Sequence, residues 1–197
     1  DEKFAIRSLM RHGGKLEHIY IVVAEPLEER AQRALSTLKD FIDRFMSDVK
    51  YTVISVDPLN AVEAISKLKH ALLSITHECI VSVSGGMRAL ILELIIAAIL
   101  AKIHGMIEIE AENFRGIITI PIEVLYIPPL GGEEVRILKL LISKGQLRAR
   151  KIARILNIPR STLYRYLREL ISRKLIEEEK VGKTTHYKAA EIAKIVI

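Results

Sequence analysis

A chain of 197 residues, half of them hydrophobic and with no low-complexity run, has apolar material for two modest cores, which excludes a disordered or fibrous polypeptide. Its net charge of +6 is unevenly held: residues 133–197 carry 16 Lys and Arg against 7 Asp and Glu, while residues 1–132 carry 14 against 17. A basic C-terminal module behind a mildly acidic N-terminal one is the asymmetry expected when one part meets phosphate and the other does something else.

The sequence opens at Asp1 on a helical pattern running to about His12, with no apolar signal region. Three apolar runs follow, Ile19 to Ala24, Tyr51 to Val56 and Cys79 to Val83, and each precedes a helical pattern. Such β-α units bury their strands on both faces and predict a parallel, Rossmann-like sheet. The single cysteine, Cys79, lies in one of these runs; it cannot form an intrachain disulfide, reads as core, and fits a reducing cytoplasm.

Right-handed crossovers bring the C-terminal ends of such strands to one edge, where ligands of these sheets bind. The loops expected there are Glu25-Pro26, Asp57-Pro58-Leu59-Asn60 and Ser84-Gly85-Gly86-Met87-Arg88. In the last, two glycines allow close backbone approach at a helix N-terminus, Ser84 adds a hydroxyl and Arg88 a fixed charge, a set suited to a phosphate. Glycine after a strand also serves the turn alone, so spacing leaves both readings open. The turn is neither G-x-G-x-x-G nor G-x-x-x-x-G-K-[ST], and nicotinamide cofactors and ATP hydrolysis have no positive support.

The helix predicted over Met87 to His104 is apolar nearly all round and must be covered on more than one side, by a second copy of the chain or by its own domain. Its core, Leu90 to Ile103, is interrupted by Glu93 and Lys102 and is too short for a bilayer, so no membrane partner is expected. Ile107, Ile109 and Ala111 then alternate with Glu108 and Glu110, and with Gly116 to Ile120 they predict a hairpin around Asn113 to Arg115. Tyr126 to Gly132, holding two prolines and two glycines, reads as a connection. The expected organisation is a Rossmann-like domain over 1–127, a linker over 128–132 and a second domain over 133–197.

That second domain reads as a winged helix-turn-helix. Val135, Leu138, Leu141 and Ile142 form one helical stripe ended by Gly145, and Ile152, Ala153 and Leu156 form another within Arg148 to Asn157. After the Asn157-Ile158-Pro159 turn, Ser161 or Thr162 is expected to cap a third helix reaching about Arg173. Its Leu163, Leu167, Leu170 and Ile171 face inward, leaving Ser161, Arg165, Arg168 and Ser172 opposite, flanked by Thr162, Tyr164 and Tyr166. Leu175 to Lys180 and Thr184 to Lys188, joined through Val181-Gly182-Lys183, predict the wing hairpin with Lys183 at its tip.

Between Arg148 and Lys174 there are nine basic residues and one acid, Glu169, and repulsion of that density calls for a polyanion. A recognition helix fits the wide major groove of B-form DNA but not the deep, narrow one of A-form RNA, so the expected partner is double-stranded DNA. Arg148, Arg160, Ser161, Thr162, Tyr164, Arg165, Arg168 and Lys183 are the candidate contacts, with arginine forks for guanine edges and hydroxyls for backbone oxygens. Six histidines, His12, His18, His70, His77, His104 and His186, show no metal-ligand spacing, and no Ser-His-Asp set can be assembled, so neither a catalytic residue nor a metal is assigned.

The pairing of Ser84-Gly85-Gly86-Met87-Arg88 and its long apolar helix with the stretch from Ile152 to Leu170 resembles archaeal CRISPR-associated transcriptional regulators, which join a CARF domain to a winged helix-turn-helix. The resemblance covers nearly the whole chain. It implies an α/β protein, with a mostly parallel Rossmann-like sheet before the winged helix, that acts without a cofactor. It further implies a homodimer binding a cyclic oligoadenylate, cyclic tetra-adenylate, across its two-fold axis, with Ser84, Gly85, Gly86, Met87 and Arg88 lining the cleft, and control of transcription at a CRISPR locus; Asp57, in the loop at the end of the second strand, is the further candidate ligand contact read from the sheet edge. The family carries a first strand and loop ahead of the opening helix, whereas this sequence starts directly on that helix. Two other readings stay open: a metal-independent ring nuclease using Ser84 to position a 2′-hydroxyl and Arg88 to stabilise a pentavalent phosphorane, and a winged-helix adaptor for the CRISPR effector.

Overall fold

A computed structural model describes residues 2–182 and 184–197; the expected wing-tip residue Lys183 lies outside them. The chain forms two compact units, Asp1–Leu125 and Tyr126–Ile197.

The first unit opens on helix α1 (Glu2–His12), whose Ala5, Ile6 and Leu9 face the first apolar core. Strand β1 (His18–Ala24) and helix α2 (Glu29–Phe45) supply the centre of that core, Ile21, Leu38 and Ile42. Next come β2 (Lys50–Val56), α3 (Ala61–Leu73), β3 (Cys79–Ser82) and α4 (Arg88–Ala101). Strands β4 (Gly105–Glu110) and β5 (Ile117–Pro121) close the unit as the expected hairpin. Helices α3 and α4 pack side by side, as do α1 and α2.

Strand β1 pairs parallel with β2 in the register Ile19 to Tyr51, β3 parallel with β4 in the register Cys79 to Gly105, and β4 antiparallel with β5. The parallel pairing expected of β-α units is therefore present. It is divided, however: β1-β2 and β3-β4-β5 are two hydrogen-bonded groups. Among the described residues no strand pairs with the second edge of β1 or of β3.

Gly105 begins β4 at φ +143°, and a Cβ there would come within 1.8 Å of the Cys79 carbonyl oxygen. Only glycine lets the chain leave α4 and pass that close to β3. The expected alternation along β4 is real, but its polar set does not face water. Glu108 and Glu110 are each 3 % exposed, lying under α1.

The second unit contains α5 (Gly132–Lys144), β6 (Leu147–Arg148), α6 (Ala149–Leu156), α7 (Arg160–Ser172), β7 (Ile176–Val181) and β8 (Thr184–Ala189). Its three strands form one antiparallel sheet in the order β6-β8-β7. Ile137, Leu138, Ile152, Leu163, Leu167 and Leu170 are fully buried where the three helices meet. Asn157 closes α6 in the left-handed region at φ 55°, and Gly145 takes φ 70° after α5, so both helix ends fall where the stop signals stand.

Two expectations change. The connection expected over 128–132 is not free of structure. Ile127 and Leu130 pack against the winged-helix core, and the Gly131 N–H donates to Glu134 Oε2 at 2.7 Å, because apolar side chains beside a hydrophobic core gain by burial. The unit accordingly starts at Tyr126. Neither Ser161 nor Thr162 caps α7, which begins at Arg160 with Pro159 at the cap position and no side-chain cap bond. Pro159, extended at ψ 140°, presents its carbonyl to the Leu163 N–H at 2.9 Å, placing the two hydroxyl residues inside the first turn.

Candidate ligand edge and nucleic-acid interface

In the first unit the Ser84 turn leaves β3 and becomes the N-terminus of α4. Gly86 sits at φ +120°, a conformation glycine adopts without strain, and Met87 is the extended cap residue. Ser84 is half-buried and its Oγ accepts the Glu110 main-chain N–H at 2.7 Å, so one of its two acceptor sites is used structurally while its proton stays available. Met87 and Arg88 are exposed, and the Arg88 guanidinium has no partner among the described residues. Asp57 lies just past β2, accepting the Leu59 N–H at 2.9 Å. It also lies close enough to Glu93, on the second turn of α4, to act on its carboxyl. Burial, and then the Asp57 charge, push Glu93 up from the ordinary glutamate range, and its Oε2 is buried without a partner.

Behind the turn is a charged cluster that sequence reasoning missed. Glu110 accepts from Arg7 Nε at 2.6 Å and from Arg11 Nη1 at 2.8 Å. Glu108 takes a second Arg11 nitrogen, the Ser8 hydroxyl at 2.8 Å and His12 Nε2 at 2.7 Å. Burial pushes the Glu108 carboxyl up, but hydrogen bonds from Arg11, His12 and Ser8 outweigh it and hold the group below the usual carboxylate range. Glu110 is likewise held low, burial being outweighed by Arg11 and Arg7. The signal was present in α1, where Arg7, Ser8, Arg11 and His12 fall at helical spacing on one face.

In the second unit, Ser161, Arg165, Arg168 and Ser172 are all exposed on one side of α7, with Arg160 exposed at its start. Tyr164 is 44 % exposed, whereas Tyr166 is half-buried against the core and carries the Arg165 guanidinium 5.1 Å from its ring centre. Thr162 is half-buried. Arg148, on β6, donates from Nε to His186 Nε2 at 3.1 Å, which ties it to the wing strand β8. Helix α6 adds three exposed cations that the sequence reading did not single out, Arg150, Lys151 and Arg154.

One regularity joins the two surfaces. Helices α1, α2, α3 and α5 each place a glutamate in the first turn, where it complements the positive end of the helix dipole. Helices α4, α6 and α7 have none, and none of them has a side-chain cap. Each carries arginine in its first turn instead: Arg88 in α4, Arg150 in α6 and Arg160 in α7. A cation on unsatisfied N–H groups at a positive helix end is unfavourable in isolation and favourable against an anion. Among the described residues no group of three or more His, Cys, Asp or Glu could hold a metal, and no helix is long and apolar enough to cross a membrane.

A Rossmann-like unit with an anion-suited turn at a strand end, followed by a winged helix-turn-helix with a cationic face, defines a two-domain regulator. Residues 1–121 match the model of the Csa3 CRISPR-associated Rossmann-like domain, and the chain belongs to that family. Residues 130–193 match the model of the sugar-specific transcriptional regulator TrmB. The two matches together make the chain a CRISPR-associated transcriptional regulator. No curated protein matches it in sequence.

Proposed function

We propose that the protein is a homodimeric, DNA-binding regulator of a CRISPR-Cas locus whose Rossmann-like unit senses a cyclic oligoadenylate, specifically cyclic tetra-adenylate. The observation that carries this reading is the set of three helix N-termini, α4, α6 and α7, that lack an acid and bear arginine. In the first unit Arg88, Gly85, Gly86 and the Ser84 proton take ligand phosphate, Met87 lies beside them, and Asp57 closes the edge from β2. Leu92 and Leu100 of α4, 59 % and 53 % exposed, supply the apolar face through which two copies pair. In the second unit α7 lies in the major groove with Arg165 and Arg168 toward base edges, while Arg148, Arg160, Ser161, Thr162 and Tyr164 hold backbone.

Ligand binding across a two-fold axis changes the affinity of the paired winged helices for a two-fold operator. The test is footprinting of the full chain on the DNA upstream of its own gene, with and without cyclic tetra-adenylate, beside Arg88→Ala. A protected two-fold site whose affinity shifts with ligand in wild type only is expected. Absence of any protected site removes the regulator reading, and protection indifferent to ligand removes the sensing one.

A further inference from the structure

An open cleft of about 360 Å³ lies between α1 and the turn joining β4 to β5, walled by Arg7, Met10, Glu110, Phe114, Arg115 and Ile117. Arg11 also lines it, so three guanidinium groups face one carboxylate. Both oxygens of that carboxylate are already taken, by Arg7 Nε and Arg11 Nη1. The two terminal nitrogens of Arg7, a side chain 49 % exposed, are left without a described partner, as is the whole Arg115 guanidinium. Arg11 is shared with Glu108 behind the cleft, so the cations open to a ligand are the outer nitrogens of Arg7 and the Arg115 guanidinium, and planar guanidinium forks match phosphate oxygens in a bidentate way.

The turn itself is built against backbone preference. Phe114 adopts φ 58°, a left-handed conformation unfavourable for a non-glycine residue. The turn is closed by the Ala111 N–H to the Gly116 carbonyl at 2.9 Å and the Phe114 N–H to the Ala111 carbonyl at 2.8 Å. What this backbone holds is an aromatic ring, stacked 5.3 Å from Phe4 and 5.1 Å from the Arg7 guanidinium yet still 49 % exposed. Met10 and Ile117, 70 % and 44 % exposed, complete an apolar wall beside the cations. Phosphate-binding forks beside a layered aromatic edge and an apolar wall suit an anion that carries a flat ring.

We propose that this cleft is a second binding site, for a nucleoside monophosphate, with the phosphate between Arg115 and the outer nitrogens of Arg7 and the base against Phe114 and Ile117. It goes beyond the cyclic-ligand reading and does not rest on it. Glu110 places the two sites back to back: its main-chain N–H holds Ser84 and its carboxylate holds Arg7.

The experiment is calorimetric titration of the full chain with adenosine 5′-monophosphate, ribose 5-phosphate and inorganic phosphate in parallel. The nucleotide is expected to bind saturably, about tenfold more tightly than either smaller anion, and Arg115→Ala to weaken it by about tenfold. Because the Arg115 side chain has no described partner, that variant should melt with wild type. Phe114→Gly, which suits the left-handed backbone, should reduce the nucleotide to the affinity of ribose 5-phosphate. Equal affinity for all three probes overturns the proposal, as does unchanged binding in Arg115→Ala. Binding lost in Arg88→Ala but kept in Arg115→Ala would place the anion at the Ser84 turn and overturn it too. Nucleotide binding that persists while the DNA response to cyclic tetra-adenylate is absent would count against the preceding reading alone.

Discussion

The Ser84 hydroxyl accepts the Glu110 main-chain N–H at 2.7 Å, and the Glu110 side chain in turn holds Arg7 and Arg11 of the opening helix. The candidate ligand turn is therefore attached to α1 through one residue of β4. Whatever displaces that turn acts on a buried ionic cluster rather than on a loose loop.

Ser84→Ala leaves the Glu110 N–H without its acceptor. The bond is partly buried, so the loss should cost about 1 kcal/mol of stability. Thermal denaturation reads the cost. The same variant should blunt the response of DNA affinity to cyclic tetra-adenylate, which an equal but distant destabilisation would leave intact.

Acid should unfold the first unit through Glu108 and Glu110. Both carboxyls titrate lower in the folded protein than in the unfolded chain, so their contribution is fully present above about pH 4.3, the ordinary glutamate value. It is lost as pH falls through their depressed folded values. Urea midpoints measured from pH 6 down to pH 3 should drop steeply at the acid end. Arg11→Met removes the cation that the two carboxylates share, leaving Glu110 with Arg7 and Glu108 with Ser8 and His12, and should lower the urea midpoint at neutral pH and flatten the acid profile.

Glu93 should act in the opposite direction. Burial raises its folded value above the unfolded one, so its favourable contribution exists at low pH and disappears as pH climbs through the raised value. Glu93→Gln should be at least as stable as wild type at pH 8 and lose the part of the pH dependence that lies above the ordinary glutamate range. A Glu93→Gln protein whose urea midpoint falls at pH 8 would mean that the carboxylate has an anionic role there.

Gly105→Ala should be among the most damaging single substitutions in the chain. The added methyl meets main-chain atoms of Cys79, which cannot rotate away, and φ +143° is itself strained for alanine. A loss of about 3 kcal/mol or more is expected by chemical denaturation. Gly116→Ala, where nothing lies within 4 Å, should be nearly silent.

On DNA, alanine at Arg165 or Arg168 should cost about 1 to 3 kcal/mol where the side chain reads a base, and less where it touches phosphate. Unchanged affinity in gel shifts of the double variant would reject α7 as the reader. Alanine at Arg150, Lys151 or Arg154 should weaken binding to all sequences alike and lower the salt slope by about 1 for each phosphate no longer neutralised.

How far residue order alone reaches differs between the units. In the winged helix nearly every element was legible, because Leu163, Leu167 and Leu170 repeat at helical spacing, Gly145 and Asn157 stop their helices, and Val181-Gly182 breaks the wing. In the Rossmann-like unit the strands before α2, α3 and α4 were legible as apolar runs, and so was the Ser84 turn. These are local signals, each carried within a dozen residues.

What only tertiary structure decided is pairing across distance. That Arg7, Ser8, Arg11 and His12 neutralise Glu108 and Glu110, roughly a hundred residues on, cannot be read from either segment, since a polar alternation looks the same whether water or an arginine faces it. The same holds for the steric demand of Cys79 on Gly105 and for the separation of the strands into two groups. Periodicity reports which face of a segment is apolar. What a polar face meets depends on where the rest of the chain returns, and that is settled by packing.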